Sequence, residues 1–250
     1  MANLEKICKK IRLAILKTSY ETQACHIGSA LSCVEILVSL YWKILKRGDI
    51  FIFGKASGAS ALYCVLAERG VIKKSKLNYY LKNFPLASTE VPGIFHGVGS
   101  LGHGLPVSVG IALADKKKRV FCLMGDSELD EGTTWESALF ASQHHLDNLV
   151  VIVDRNRLQA TGRTEDILGL EPLLEKFKAF GWTYCELNGH DSVALNGRLK
   201  QLDDIKGYPI VIVADTIKGR GVDFMEDVFE WHYWNLNKEQ YEKAILQISK

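Results

Sequence analysis

Two short polar segments, each following an apolar run, carry the residues of this chain best suited to chemistry: Gly125-Asp126-Ser127-Glu128 and Asp154-Arg155-Asn156-Arg157. Arg119-Val120-Phe121-Cys122-Leu123-Met124 precedes the first and Asn148-Leu149-Val150-Val151-Ile152-Val153 the second, and both runs read as buried strands. Asp126 and Asn156 then fall where two neighbouring parallel strands end, the place where open α/β sheets take their ligands. A carboxylate and an amide carbonyl are hard oxygen donors, suited to a magnesium ion that also holds phosphate oxygens. Each residue has a plainer reading. Asp126 would serve as the N-cap of a following helix, and Asn156 as a turn residue. Taken together at adjacent strand ends, they favour a metal bridging to a diphosphate group. The order strand, Gly-Asp-x-Glu, Glu131-Gly132, helix, strand, Asp-x-Asn supports that choice.

Other elements must hold those two ends side by side. Leu4 to Leu16 carries apolar residues at helical spacing with lysines opposite. After the polar turn Cys25-His26-Ile27-Gly28-Ser29, a helix is predicted from about Ala30 to Leu45, apolar nearly all round and so buried. A strand at Ile50–Phe53 leads through Gly54-Lys55-Ala56-Ser57-Gly58 into a helix from about Ala59 to Arg69. Leu81 to Gly99, with two prolines and few regular signals, is predicted to be a long loop of the kind that carries function. Gly99-Ser100-Leu101-Gly102-His103-Gly104 then opens a helix rich in Ala, Val and Gly. Trp182 to Cys185 and Tyr208 to Ala214 are strand candidates, alternating with helices near Glu171 to Ala179 and Ser192 to Leu202. This alternation predicts an α/β fold: a doubly wound, mostly parallel sheet with helices on both faces. With no internal repeat, low-complexity segment or linker, one domain over residues 1–250 is expected.

Composition narrows the function. A net charge of +2 from 31 basic and 29 acidic residues leaves no electrostatic footprint for nucleic acid, and the Lys116-Lys117-Lys118-Arg119 run suits a solvated loop. No apolar run approaches the ~20 residues that span a bilayer, and the N-terminus lacks a signal peptide's apolar stretch. Six cysteines occur singly, as in a cytoplasmic protein with reduced core thiols.

The run from Met124 to Gly162, MGDSELDEGTTWESALFASQHHLDNLVVIVDRNRLQATG, closely resembles the diphosphate-binding motif of thiamine diphosphate enzymes. More narrowly, it resembles the N-terminal half of transketolase as found in split, two-subunit transketolases. CHIGSALS at 25–32 is similar to the family's Gly-His-Pro-Gly turn, GSLGHGL at 99–105 to a cofactor-contacting loop, and TIKGRGVDFMED at 216–227 to its closing segment. The resemblance implies thiamine diphosphate and Mg2+ as cofactors, with Asp126, Asn156 and the Leu158 carbonyl as metal ligands. It implies that the amide of Ser127 meets the diphosphate and that Leu101 and Gly102 pass the aminopyrimidine. Ser57, Gly99, Gly125, Glu128 and Lys218 complete the implied cofactor-binding set. His26 and His232 match histidines that line the substrate channel or reach the cofactor's phosphates; without the resemblance each would be a surface or satisfied core histidine. Glu131 resembles a buried glutamate that couples two active sites. The implied activity is transfer of a two-carbon ketol unit from a ketose (phosphate) to an aldehyde. The glutamate that activates the cofactor belongs to the family's pyrimidine-binding half. A separate pyrimidine-binding subunit is therefore expected, in a heterotetramer acting on small sugars.

Several positions depart from the family pattern. Gly-Asp-Ser replaces Gly-Asp-Gly, Lys55-Ala56-Ser57 replaces Lys-Gly-His, and the loop over 81–95 lacks a Gly-His-Pro. His96, followed by Gly97-Val98, stands where small hydroxyl residues are usual, and Tyr233-Trp234 follow His232 where small residues are common. Most of these changes fall at the substrate mouth, so a donor or acceptor other than the usual pentose phosphates is expected. A thiamine-dependent 2-oxo acid decarboxylase or acyloin synthase subunit, and a non-catalytic homologue acting as a binding partner, are the competing readings.

Overall fold

The structure, a computed structural model, describes residues 2–249. Helices α1 (Ala2–Thr22), α2 (Ile27–Ser32) and α3 (Val34–Ser39) precede strand β1 (Ile50–Phe53). Between β1 and β2 (Val120–Gly125) lie α4 (Ala59–Glu68), α5 (Leu77–Asn83) and α6 (Gly104–Ala114). Helix α7 (Gly132–Gln143) leads to β3 (Leu149–Arg155), and α8 (Thr164–Ile167) and α9 (Leu173–Ala179) lead to β4 (Thr183–Asn188). After α10 (Ser192–Lys200) come β5 (Ile210–Asp215) and α11 (Lys238–Ser249). The five strands pair in parallel in the order β1-β2-β3-β5-β4, the α/β architecture that the sequence predicts.

The continuous apolar runs of β2 and β3 are buried along their whole length because both sheet faces are covered. Successive side chains alternate between two cores. Phe121, Leu123, Val150 and Ile152 pack with residues of α1, α3 and α4. Val120, Cys122, Met124, Val151 and Val153 pack with residues of α6, α7 and α9. Register sets the ends level, since Gly125 pairs with Asp154 and Arg155 with Asp215. The turns after β2, β3 and β5 therefore open along one edge. Gly104 brings α6 against that edge, where a Cβ on it would lie 2.6 Å from Gly54 Cα.

Three expectations need correction. The helix foreseen from Ala30 to Leu45 begins at Ile27 and breaks at Cys33 (φ −99°, ψ 12°), and its end is a π-helical turn, Leu40–Ile44. At the break Ser32 turns its hydroxyl to Asp154 Oδ2 at 2.6 Å, a tertiary bond that no local pattern announces. The long loop starts later than foreseen, because residues 81–83 complete α5; from 84 to 103 the chain is irregular, anchored where the Tyr63 hydroxyl donates to the carbonyls of Phe84 and Leu86. Helix α11 was not foreseen; it is held on α1 by stacking of Tyr241 on Tyr20 at 4.4 Å.

Candidate functional site

Strand β2 turns at once into the 3-10 segment Asp126–Asp130, which fixes Asp126 at the strand's end with 2% of its surface exposed. Its Oδ2 accepts from Arg155 Nη1 and Thr164 Oγ1, each at 3.2 Å. Burial raises its pKa, opposed by Lys55 and Arg155. Asp126 is not spent on capping: the Gly125 amide goes instead to Glu128 Oε2 at 2.7 Å. One residue past β3, Asn156 is also buried, and its Oδ1 accepts the Leu158 amide at 3.1 Å. Arg157, at φ 61°, reverses the chain into a tight hairpin closed by a Leu158–Arg163 bridge. Asp126 and Asn156 thus come from adjacent strand ends, where the spacing predicts them, and Leu158 follows in the hairpin two residues beyond Asn156.

Cations crowd the same edge. Lys55, just past β1, reaches Asp154 Oδ2 at 2.9 Å, and Asp154 also accepts from Ser32 and Thr216 hydroxyls. Burial alone would depress the Lys55 ammonium, but Asp154 overrides it and raises its pKa. Lys218, delivered by the loop after β5, donates to the Gln159 carbonyl at 2.7 Å. Burial, then repulsion from Lys55, brings its pKa down to about 8. His26 stands in the left-handed region at φ 69°, and its ring meets that of His232 edge-on with centroids 4.5 Å apart. Burial and the nearby Lys218 lower both pKa values, His232 to about 3, so both rings are neutral at pH 7.

The loop that opens α6 lies against the turn after β2. Gly102, at φ 72°, leaves no room for a side chain, since a Cβ would sit 2.5 Å from Glu131 Cβ. Glu131 is half-buried within this chain rather than buried. Leu101 is 47% exposed, Gly99 is exposed, and Ser57 is half-buried on the turn two residues beyond Lys55. Glu128 is fully buried, with Oε1 unpaired and a pKa raised by burial to about 7. Sequence reasoning missed Lys55 and Asp154 as site residues; a charged residue directly after one buried strand and another inside a second was the available signal. A cavity of about 1250 Å³ lies elsewhere, lined by Arg12, Glu35, His190 and Arg220 among others, and holds none of the foreseen residues.

The donor chemistry fits a magnesium-bound diphosphate. One carboxylate, one amide oxygen and one backbone carbonyl suit Mg2+ when phosphate oxygens supply the rest. Among the described residues no three His, Cys, Asp or Glu side chains gather as a metal site, so a metal here would need oxygens from a ligand. Two buried ammonium groups that repel each other are what a diphosphate would neutralise.

The family described as transketolase, thiamine diphosphate binding domain, matches residues 4–245. A subunit of the apulose-4-phosphate transketolase of Actinobacillus succinogenes is 40% identical over 98% of this chain and 95% of its own length. The subunit of the same name from Phocaeicola vulgatus is 36% identical over 99% of this chain and 94% of its own. Among solved structures, the transketolase of Campylobacter jejuni superposes with a TM-score of 0.85 at 24% identity, covering 98% of this chain and 42% of the other.

Proposed function

The chain belongs to the transketolase N-terminal family, the thiamine diphosphate-binding domain, and from that premise we propose that it is the diphosphate-binding subunit of a two-component transketolase-like enzyme of the cytoplasm. Asp126 and Asn156 on adjacent strand ends, with Lys55 and Lys218 crowded beside them, carry this reading. Thiamine diphosphate, when bound, supplies an electron sink for the carbanion left by carbon–carbon cleavage. Asp126, Asn156 and the Leu158 carbonyl would hold Mg2+, while Lys55, Lys218 and the Ser127 amide would meet the diphosphate. Leu101 and Gly102 would flank the aminopyrimidine. The neutral rings of His26 and His232 would hydrogen-bond a sugar hydroxyl without bringing charge to it. Glu131 would face the neighbouring site across an interface.

All 250 residues form one diphosphate-half domain in this reading, and a pyrimidine-binding subunit completes the site in a heterotetramer. Uncovered apolar groups support a partner: Leu101 at the site, and Leu139 and Phe140 on α7. The two bacterial relatives, themselves named as transketolase subunits, point the same way. The donor is a phosphorylated ketose other than the usual pentose phosphates. Tyr233, 59% exposed and with its ring centroid 6.2 Å from that of His26, stands at the mouth in support. The chain combined with its partner subunit, given Mg2+ and thiamine diphosphate, should move a two-carbon unit from such a ketose to an aldehyde. Ordinary turnover of xylulose 5-phosphate overturns the donor assignment. Carbon dioxide released from a 2-oxo acid favours the decarboxylase, and absence of cofactor binding favours the non-catalytic reading.

A further inference from the structure

Three polar side chains with little exposed surface, outside the proposed site, converge on the loop that carries Lys218. Arg12 of α1 forms a two-pronged ion pair with Glu35 of α3, Nη1 to Oε1 at 2.6 Å and Nη2 to Oε2 at 2.8 Å. Glu35 Oε2 lies 3.0 Å from His190 Nδ1, and the opposite ring nitrogen, Nε2, accepts the Ile217 amide at 2.9 Å. That bond fixes the tautomer: Nδ1 carries the proton and donates to Glu35. Arg12 closes the circuit, its Nε donating to the Arg220 carbonyl at 3.1 Å. The two backbone groups so held, at 217 and 220, bracket Lys218.

The bracketed segment has its own need of support. Gly219 and Gly221 both take positive φ, and Arg12 packs on Gly221, where a Cβ would lie 3.3 Å from Arg12 Cδ. Burying an arginine and a glutamate beside a histidine side chain only 10% exposed is costly unless all are satisfied, and here each has its partner. Resting on the reading of Lys218 as a diphosphate ligand, we infer that Arg12, Glu35 and His190 form a positioning clamp that sets the Lys218 loop and thereby the affinity for diphosphate.

Two substitutions at one position separate positioning from packing. In His190→Gln the side-chain amide oxygen falls near the place of Nε2 and still accepts from Ile217. In His190→Asn the amide falls near Nδ1, keeping a donor for Glu35 but leaving the Ile217 amide unmet. Binding of magnesium pyrophosphate to the full chain, alone and with its partner subunit, is read by titration calorimetry. Affinity in the glutamine variant should stay close to wild type, and in the asparagine variant it should fall about tenfold, the effect of one unmet, partly buried amide. If the asparagine variant does not fold, Arg12→Lys reads the other arm, since it keeps a charge for Glu35 but withdraws the donor from Arg220; the same loss is expected. Unchanged affinity in the asparagine or lysine variant overturns the clamp, as does equal loss in both His190 variants. Wild-type protein that binds no magnesium pyrophosphate overturns the diphosphate reading itself, a separate outcome.

Discussion

Lys55 Nζ lies 2.9 Å from Asp154 Oδ2, with side chains 5% and 0% exposed. Through this pair and the hydroxyls of Ser32 and Thr216, Asp154 ties the turn after β1, helix α2 and the end of β5 to the last residues of β3. Removing the cation by Lys55→Met strands a buried carboxylate, which should destabilise the fold by ~3–5 kcal/mol. Adding Asp154→Asn to the same chain should restore part of that loss. Urea unfolding of the two single variants and the double variant measures the coupling, and simple additivity would contradict it.

Asp126→Asn separates the metal-binding role of this position from its structural one. The amide oxygen can still accept from Arg155 and Thr164, so folding should change by less than about 1 kcal/mol. Loss of the negative charge should weaken Mg2+-dependent binding of thiamine diphosphate by about 10–100-fold, one charged contact's worth. Titration of cofactor at fixed Mg2+ provides the check; equal affinity in the variant would remove Asp126 from the ligand set.

Two glycines on one helix should respond to alanine with opposite signs. At Gly104 a Cβ would stand 2.6 Å from Gly54 Cα, backbone against backbone, so Gly104→Ala should cost ~1–3 kcal/mol through overpacking. At Gly110 nothing lies within 4 Å, and Gly110→Ala should stabilise by ~0.4–1 kcal/mol by restricting the unfolded chain. Thermal melts of the two variants decide the matter, and the Gly104 variant should also bind cofactor more weakly because it shifts the loop leading to Leu101.

What was legible in the sequence follows from how local each signal is. Strand β1 occupies Ile50–Phe53 as foreseen, because a short apolar run bounded by polar turns leaves few alternatives. Asp126 and Asn156 were legible because parallel strands buried on both faces read as unbroken apolar runs, so their ends are sharp. The Lys55–Asp154 pair was not, since its partners are far apart in the chain and each alone resembles an ordinary turn or strand-end charge. The break at Cys33 escaped for the same reason: Ser32 is drawn to Asp154 by a contact across the fold. Helix α11 was not foreseen although its stripe is ordinary: Tyr241, Ala244, Ile245 and Ile248 turn onto the core at helical spacing. His190 showed nothing in sequence, because its role depends on Glu35 and Ile217 arriving from other elements.

His232 should make the fold sensitive to acid. Burial first, then the charges of Lys218, His26 and Lys55, bring its pKa from about 6.5 to about 3. Between those values the unfolded chain binds a proton that the folded chain refuses, so stability falls as pH drops through the window and is unaffected above it. The slope is at most about 1.4 kcal/mol per pH unit, and smaller here because solvent reaches part of the ring. Melting temperatures of wild type and His232→Gln from pH 7.5 down to pH 4.5 should therefore converge on acidification, the wild type losing more. Magnesium diphosphate placed beside Lys218 would offset the cation that depresses the ring, so the loaded protein should show a shallower difference than the free one. Parallel profiles for the two proteins would mean that the ring titrates at its ordinary value and that Lys218 does not face it in solution.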